Sequence, residues 1–532
     1  MTVEPWDPIH SPTAEHLHWS TVNAGEAVPG VQTPLSWTMW ADGAELGPRR
    51  AAFAVGALTR AESRLPASVE DRFTRVFYGR CAIQCEVLAL LGDRLPGTTG
   101  QESVRSVLGH VPPDMEFAST RRRYPVIAWR FPTTFLSVPR QVPGFVSEAE
   151  QWRRASLTRI PHLQMPELAA LLTEARRRVT LGVAFQTTVL FGVVQPLFDA
   201  LTRTVARAGT GDVATLSGTG GAEMAVVSDI WAASRGRIPI ETVVANHGFH
   251  GPTEGEISST VWREDDTPLR RMIEQYAQRA DCEDPALARD RQDAELRREQ
   301  RAVLAALPAS QRPGVRLLLA LASERIPLRG MAKRSFVGAL DVGRATARRM
   351  AAILVDRGRL DHPDDVFYLT AQELSTALPP NAQDLVDWRR ERHRQYQQLT
   401  IPRDWTGTPV PLVAPATVHE QVRTLAGIGV SSGIVEGIVR VVDDPAFAEV
   451  EPDEILVARL TDPSWSSIMF ISAGLIVDTG GALSHAALVA RELKIPCVVN
   501  TGNGTTTLHT GDRVRVDGDS GIIEVLSPSA AL

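Results

Sequence analysis

A histidine at the start of a predicted helix is the residue of this sequence best placed for covalent chemistry. The stretch 477–496 reads as a short apolar strand, a turn at Gly480 and Gly481, and a helix that begins near Ser484, with His485 in its first turn. Unpaired N–H groups and the positive end of the helix dipole at such a place favour an adjacent anion and disfavour a protonated ring. A neutral imidazole in this position is nucleophilic and can accept a phosphoryl group.

The residues that precede His485 suit a phosphate. Gly480 and Gly481 let the backbone approach phosphate oxygens closely, and Ser484 or Thr479 can donate a hydroxyl hydrogen bond. On spacing alone, however, a histidine after a glycine turn is more often a helix cap or a buried, hydrogen-bonded residue. The pattern by itself leaves both interpretations open.

A longer match favours the first interpretation. The run GGALSHAALVARELKIPCVV resembles the phosphohistidine signature of the phosphoenolpyruvate (PEP)-utilising enzymes, and the segments 425–442, 453–465 and 511–526 resemble the other strands of the same swivelling domain. This resemblance implies that His485 becomes phosphorylated. Gly480, Gly481 and Ser484 belong to the matching pattern, and Thr479 remains a candidate hydroxyl donor to the phosphate.

The elements that must position this histidine form more than one domain, because 532 residues exceed a single ordinary core. We predict a multidomain fold, with a large, mainly α-helical acceptor domain over residues 1–405 and a small α/β swivelling phosphohistidine domain over residues 425–532. Prolines and a glycine in 406–424 break both helical and strand periodicity and predict a hinge linker. Rotation at this linker would carry the histidine between two sites.

Hydrophobic periodicity gives the elements in more detail. Residues 1–62 look irregular, with tryptophans among prolines and glycines. Helices are predicted at 66–92, 148–156, 166–208, 221–235, 268–280, 286–307, 310–324, 335–357, 371–400 and 484–493. Strands are predicted at 433–442, 454–459, 474–478, 497–500, 513–517 and 522–526.

The larger region resembles the acceptor-binding domain of the rifampin phosphotransferase branch. The matching segments, individually short but in the right order, are 23–37, 78–86, 246–265, 364–374 and 385–405, together with TDPSW at 461–465. We expect no PEP chemistry, because no PEP-binding barrel follows the small domain. The ATP-grasp domain of this branch is not seen before residue 1, so ATP and Mg²⁺ are expected to act through a separate ATP-grasp nucleotide-binding partner, with no cofactor bound tightly by this chain.

The acceptor, a small molecule, needs a general base and cationic groups near the transferred phosphoryl. Segment 246–265 concentrates polar residues among turn formers, and the resemblance implies that it lies near the acceptor site. We expect His250 or Glu254 to be the base. The predicted substrate contacts, first the two arginines and then the weaker candidates, are Arg80, Arg263, Glu256, Gln84, Tyr78, Gln32 and Thr33.

Composition excludes several other classes of protein. A net charge of −6 and a pI near 6.1 give no general attraction to nucleic acid or to an anionic membrane. The first twenty residues lack a signal peptide and no segment is apolar over the ~20 residues of a membrane span, so we expect a cytoplasmic protein with no membrane partner. Four cysteines are too scattered for a disulfide framework or a zinc site, and no metal ligands are predicted. Only Lys333 and Lys494 are lysines, so phosphate-clamping lysines are scarce.

Two alternatives to a phosphotransferase component remain. An ATP-dependent ligase component would activate a carboxylate as an acyl phosphate and then condense it with an amine, as in natural-product biosynthesis. A catalytically inactive scaffold would keep only the acceptor pocket, although the intact Ser484-His485 pair argues against it.

Overall fold

The fold is known from a computed structural model. It describes residues 5–22, 28, 30–108, 110–211, 213–217, 221–251, 253, 255–412, 424–442, 450–451, 454–461, 465–481 and 484–529.

The described helices, in chain order, are α1 (Pro34–Val55), α2 (Cys85–Arg94), α3 (Gly100–Leu108), α4 (Tyr124–Arg159), α5 (Met165–Val189), α6 (Gln195–Ala208), α7 (Val213–Leu216), α8 (Gly221–Ser234), α9 (Ile240–His247), α10 (Thr267–Ala277), α11 (Pro285–Ala306), α12 (Arg312–Arg325), α13 (Leu328–Asp356), α14 (Ala371–Ser375), α15 (Ala382–Gln397), α16 (Ser466–Met469), α17 (His485–Leu493) and α18 (Gly504–Thr507). A π-helical turn, Leu190–Val194, joins α5 to α6, and short 3-10 turns lie at Ile160–His162, Asp281–Glu283 and Pro363–Tyr368.

The described strands are β1 (His18–Ser20), β2 (Thr74–Phe77), β3 (Arg80–Gln84), β4 (Asp404–Thr406), β5 (Thr424–Ala426), β6 (Ile428–Ser431), β7 (Ile434–Val442), β8 (Glu454–Ala458), β9 (Gly474–Val477), β10 (Cys497–Val499), β11 (Arg513–Asp517) and β12 (Ile522–Ser527). They form one sheet of order β2-β3-β1-β4 and one of order β5-β12-β11-β7-β8-β9-β10-β6.

The chain divides into two compact units. The first contains residues 1–195, 255–258 and 331–417, and the second contains residues 196–254, 259–330 and 418–532. The small sheet belongs to the first unit and the eight-stranded sheet to the second.

In the first unit, α1 packs on α5 through small residues. A Cβ atom added at Gly47 would lie 3.0 Å from the hydroxyl of Thr187, so glycine permits the close approach of the two helices. One continuous helical stretch, Met165–Ala208, is apolar and long enough to cross a membrane, but half of its most apolar window is buried inside the protein. Its packing against α1 is typical of the core helix of a globular protein.

Aromatic rings fill the space beside the small sheet. Trp19 contacts Phe77 edge-on at 5.2 Å between centroids, and Phe77 contacts Trp405 in the same way at 5.3 Å. Because β1 pairs with both β3 and β4, residues far apart in sequence share this core.

In the second unit, the strands β7, β8, β9 and β10 run parallel at the centre of the sheet, and antiparallel strands flank them. Both faces are apolar. One face buries α17 through Ala486, Ala487, Val489 and Ala490. Strands buried on both sides need continuous apolar sequence, as β8 and β9 have.

The same unit also holds helices α8 to α12. The eight-stranded sheet with α16, α17 and α18, called the α/β part, contacts these helices through Phe470 and Ile471, which pack with Trp231 and Tyr276. The ring of Phe470 lies 5.1 Å from that of Tyr276 and 6.3 Å from that of Trp231. A salt bridge between Lys494 and Glu295 lies at the end of α17.

Most of the predicted elements of the α/β part are confirmed within one residue, including β11 and the helix α17. Two predictions in the N-terminal region were wrong. Residues 1–62 are not irregular throughout, because α1 occupies Pro34–Val55 after an N-cap at Thr33. The helix expected at 66–92 is instead the hairpin of β2 and β3 followed by α2, and Val76, Phe77 and Cys81 are buried within the paired strands.

The predicted split at 405 remains a prediction. The compact units divide the chain at other points, and the second unit joins residues 425–529 to helices that the sequence assigned to the acceptor domain. Of the predicted hinge, residues 413–423 lie outside the described part of the chain, residue 406 ends β4, and residue 424 begins β5.

Candidate functional site

The segment around His485 is a strand, a glycine turn and a helix in the middle of the large sheet. Strand β9 pairs in parallel with β8 and β10, so its carboxyl end lies between the carboxyl ends of these two strands. Helix α17 begins at His485 and is capped by Ser484, whose Oγ accepts a hydrogen bond from the backbone N–H of Ala487 at 3.3 Å. The sequence prediction of a helix starting at this serine is confirmed.

The glycines of the turn have different surroundings. A Cβ atom at Gly480 would lie 2.9 Å from Oγ and 3.1 Å from Cβ of Ser484, whereas a Cβ atom at Gly481 would meet nothing within 4 Å. The N–H of Ser484 donates to the carbonyl of Gly481 at 3.0 Å, and the N–H of Thr479 donates to the carbonyl of Arg459 at 3.0 Å. Gly480 therefore leaves room for the capping side chain of Ser484, and open space lies beside Gly481.

His485 is the first residue of α17, where backbone N–H groups have no partner within the helix. The side chain of His485 lies outside the part that the structure describes. Its backbone lies at the N-terminus of the helix, where the helix dipole attracts an anion such as phosphate. Arg491, further along α17, donates to the carbonyl of Val430 in β6 at 2.6 Å and ties the helix to the sheet.

The side chain of Asp478 ties the turn at Gly480 and Gly481 to a neighbouring loop. This buried carboxylate accepts hydrogen bonds from the hydroxyl of Thr501 at 2.7 Å, from the N–H of Gly504, and from both the N–H and the hydroxyl of Thr505. The loop that begins α18 is thus fixed to the residue that directly precedes Thr479. The sequence analysis did not single out Asp478, although an aspartate between a buried strand and two glycines was a usable signal.

The residues predicted to bind the acceptor are divided between the two compact units. In the first unit, Glu256 receives hydrogen bonds from the N–H of Thr33 at 2.9 Å, from its hydroxyl at 2.8 Å, and from the hydroxyl of Ser36. Its carboxylate therefore caps the start of α1 together with Thr33. The buried Arg344 holds the same segment by donating to the carbonyls of Glu256 and Ile257. A substrate contact by Thr33 or Glu256 stays a prediction.

Tyr78, Arg80 and Gln32 lie close to one another in the same unit. The N–H of Gln32 donates to the carbonyl of Gly79 at 2.8 Å. The guanidinium of Arg80 donates to three main-chain carbonyls, those of Tyr78, Tyr396 and Leu399. Arg80 therefore has a structural role in holding the β2–β3 turn against the end of α15, and its role as a phosphate contact stays a prediction.

His393 of α15 joins this group and was not predicted. Its Nε2 lies 3.1 Å from the carbonyl oxygen of Val31, and its ring is buried edge-on against Tyr368. Burial lowers the pKa of His393 from its ordinary value, more than the bond to Val31 and the charge of Glu256 raise it. Gln84, by contrast, points its amide at the carbonyl of Glu70 at 3.1 Å.

The other predicted acceptor residues belong to the second unit. His250 is buried between the rings of Phe249 at 4.4 Å and Trp262 at 5.6 Å. The N–H of Arg263 donates to the carbonyl of Gly248, so the two ends of the segment 247–263 come together. Convergence of its polar side chains on an acceptor site stays a prediction. Glu254 lies outside the described residues.

A histidine–carboxylate pair beside His250 was missed. His247, the last residue of α9, lies 2.9 Å through Nε2 from Asp229 of α8. Its ring is stacked at 6.1 Å on that of His250. Within the described residues, no three or more histidine, cysteine, aspartate or glutamate side chains are grouped so as to hold a metal ion.

Two protein-family models match the chain. The mobile domain of PEP-utilising enzymes matches residues 450–521, which include the turn and α17, and the fourth domain of rifampicin phosphotransferase matches residues 233–330.

Similar curated proteins include a rifampicin phosphotransferase of Streptomyces sp., 41% identical over 38% of this chain and 23% of its own length. A rifampicin phosphotransferase of Bacillus subtilis is 32% identical over 37% of this chain and 23% of its own length. An uncharacterised protein of Mycobacterium tuberculosis is 32% identical over 52% of this chain and 30% of its own length. This chain thus spans less than a third of each of these relatives.

Among solved structures, the solution structure of an Enzyme I protein covers 57% of this chain at 17% identity with a TM-score of 0.16. A TM-score this low supports no common fold.

The α/β part around His485 therefore resembles the mobile domain of the PEP-utilising enzymes. Its neighbour in the second unit matches a domain of one branch of that superfamily. These matches cover parts of the chain and show a similarity to the rifampicin phosphotransferase branch.

Proposed function

We propose that this chain is a phosphotransferase component that carries a phosphoryl group on His485. The observation that supports this most directly is the place of His485 as the first residue of α17, after a turn in which a Cβ atom at position 480 would displace the capping Ser484. The relatives named rifampicin phosphotransferase support the same reaction class.

In the first step, a ring nitrogen of neutral His485 attacks a phosphorus atom of ATP. A bond from nitrogen to phosphorus forms, and the bond from that phosphorus to the bridging oxygen breaks. Attack at the γ-phosphorus releases ADP, which keeps the electron pair; attack at the β-phosphorus releases AMP with the electron pair and leaves a pyrophosphoryl group, whose outer phosphoryl must then pass to water. We expect ATP and Mg²⁺ to be held by a separate ATP-grasp protein, since lysines for clamping phosphate are limited to Lys333 and Lys494.

In the second step, an oxygen of the small-molecule acceptor attacks the phosphohistidine. The new oxygen–phosphorus bond replaces the nitrogen–phosphorus bond, the proton of the acceptor hydroxyl passes to a base, and His485 is regenerated. His250 and Glu254 remain our candidates for that base, and a carboxylate acceptor would need none.

The test is a chase experiment. The full chain is incubated with Mg²⁺, ATP labelled at the β or at the γ phosphate, and an ATP-grasp protein, then separated and given rifampicin, the compound named in the relatives. We expect label to leave wild-type protein for a small-molecule product and His485→Ala to carry none. Label that leaves only on addition of an amine, as a condensed product, would support the ligase alternative instead.

A further inference from the structure

The turn between β2 and β3 contains a residue in an unfavourable backbone conformation. Tyr78 has φ of 47° and Gly79 has φ of 74°, both in the left-handed region. Two-residue hairpin turns require such angles, and asparagine or glycine adopts them readily, whereas a tyrosine there is unfavourable. Gly79 cannot be replaced, because a Cβ atom would lie 2.4 Å from the side chain of Val31. The turn itself does not call for a tyrosine at position 78, which directs attention to the contacts of its side chain.

Tyr78 touches two other rings. The imidazole of His10 stacks on it with centroids 4.2 Å apart and planes 20° apart, and the ring of Tyr396 meets it edge-on at 5.3 Å. Tyr396 is buried and donates its hydroxyl to Asp7 at 2.6 Å, whereas His10 and Tyr78 are only partly buried. The three rings therefore form an aromatic surface of which His10 and Tyr78 reach solvent.

The position of the proton on His10 follows from its neighbours. The backbone N–H of Tyr78 can only donate, and it donates to Nδ1 of His10 at 3.3 Å, so Nδ1 carries no proton. Burial, together with Arg392, lowers the pKa of His10 from its ordinary value although Asp7 opposes this, so the ring is neutral near pH 7. The single proton lies on Nε2, which has no hydrogen-bond partner among the described residues. Nε2–H is thus an available donor of fixed direction.

The charges around the rings do not favour an anion. Asp7 is negative, Arg392 is positive, and the guanidinium of Arg80 is engaged with main-chain carbonyls. Flat rings, one available N–H donor and balanced charge suit an uncharged planar molecule that carries an oxygen acceptor.

The geometry points to a binding subsite formed by His10, Tyr78 and Tyr396 for an uncharged, planar aromatic compound whose hydroxyl or carbonyl oxygen accepts the Nε2–H of His10. The subsite rests on the proposed function, since it supplies the acceptor of the phosphoryl group. It extends that function by naming the substrate class and two residues, His10 and Tyr396, that the sequence did not indicate.

The test compares two probes of similar size, planar 2-naphthol and saturated decahydro-2-naphthol, by calorimetric titration of the full chain. We expect saturable binding of 2-naphthol and at least tenfold weaker binding of the saturated compound. Tyr78→Asn keeps a residue that tolerates the left-handed turn and removes the ring, so it should weaken 2-naphthol at least tenfold without lowering the melting temperature of the protein by more than a few degrees. Tyr78→Phe keeps the ring and should bind within threefold of wild type.

Equal binding of both probes, unchanged binding by Tyr78→Asn, or no saturable binding would overturn the subsite. His10→Phe supplies a second measurement, because it retains a ring but loses the donor, and it should weaken 2-naphthol while leaving decahydro-2-naphthol unaffected. Phosphate labelling of His485 is measured on the same preparations. Labelling without naphthol binding would refute the subsite alone, and naphthol binding without labelling would refute the phosphotransferase proposal alone.

Discussion

Ser484 and Gly480 fix the point at which the backbone of His485 enters its helix. The serine hydroxyl satisfies the N–H of Ala487, and the absent side chain of Gly480 leaves room for that hydroxyl. The chemistry proposed for His485 therefore depends on two neighbours that do not react. At the scale of single residues, the residue proposed to react is thus distinct from the residues that position its backbone.

Gly480→Ala and Gly481→Ala form a matched pair. At position 480 the new methyl group would lie 2.9 Å from Oγ of Ser484, so the cap must shift, whereas the methyl group at 481 enters open space. We expect Gly480→Ala to lower the free energy of unfolding by about 1–3 kcal/mol and Gly481→Ala to change it by less than about 0.5 kcal/mol. Urea unfolding of both variants measures this, and equal losses would show that the cap does not depend on Gly480.

His393 gives the first unit a dependence on pH. Burial lowers its pKa in the folded protein below the unfolded value of about 6.5. Between these two values the unfolded chain binds more protons, so stability is fully present above pH 6.5 and falls as the pH decreases through the lowered folded pKa. His393→Gln cannot titrate and should show a shallower loss of stability from pH 7 to pH 5 in urea titrations. The exposed His16→Gln is the control, and an unchanged slope in His393→Gln would contradict the assignment.

At the scale of elements, the turn at Gly480 and Gly481 is connected through Asp478 to the loop that precedes α18. Asp478 directly follows β9 and accepts hydrogen bonds from Thr501 and from the first residues of α18, so it ties the glycine turn to the loop 501–505. Because buried N–H groups are costly to leave unpaired, this carboxylate is worth more than one ordinary hydrogen bond.

Asp478→Asn tests this connection. An amide nitrogen cannot accept a hydrogen bond, so we expect a loss of about 2 kcal/mol or more of unfolding free energy and slower phosphate labelling of His485 in the fraction that remains folded. Asp512→Asn is the matched control, since Asp512 is also buried and accepts the N–H groups of His509 and Ser529 away from the turn. If both variants label at the same rate per folded molecule, Asp478 has no role beyond stability.

The elements also show what the sequence could and could not predict. The strands β7, β8 and β9 were predictable because each combines an apolar run with flanking turn residues, and α17 was predictable from Ser484 at its start. The β2–β3 hairpin was missed because both strands are buried almost throughout, so their apolar residues do not alternate and also fit a helical spacing over 66–92. Helix α4 extends far beyond the predicted 148–156, since Pro132, Pro139 and Pro143 are tolerated within it.

The candidate site was predictable only in part for a similar reason. His485 and its neighbours are contiguous in sequence, so a pattern identifies them. His10, Tyr78 and Tyr396 meet through the fold of a hairpin onto a distant helix, and no spacing in the sequence links them. Glu256 was predicted as a substrate contact from its polar loop, but its bonds to Thr33 and Ser36 depend on the position of α1.

At the scale of the whole molecule, the α/β part and helices α8 to α12 form one compact unit. Phe470 is the main aromatic contact between them, and Arg279 lies 4.8 Å from its ring. A phosphohistidine domain that travels must be able to release this contact.

Phe470→Ala should therefore loosen the contact without unfolding the sheet. We expect a loss of about 1–2 kcal/mol, with faster amide hydrogen exchange in α8 and α10 and unchanged protection in β8 and β9. Phe191→Ala, which changes a half-exposed ring in the other unit, serves as control. Faster exchange throughout the sheet would instead place Phe470 in the core of the α/β part.

The most direct measurement is the location of phosphate on the chain after incubation with ATP, Mg²⁺ and an ATP-grasp protein. Mass spectrometry under alkaline conditions, which preserve phosphohistidine, should find one acid-labile phosphate on the peptide that contains His485, and none there in His485→Ala. Phosphate on a different residue, or acid-labile label that survives in His485→Ala, would contradict the account.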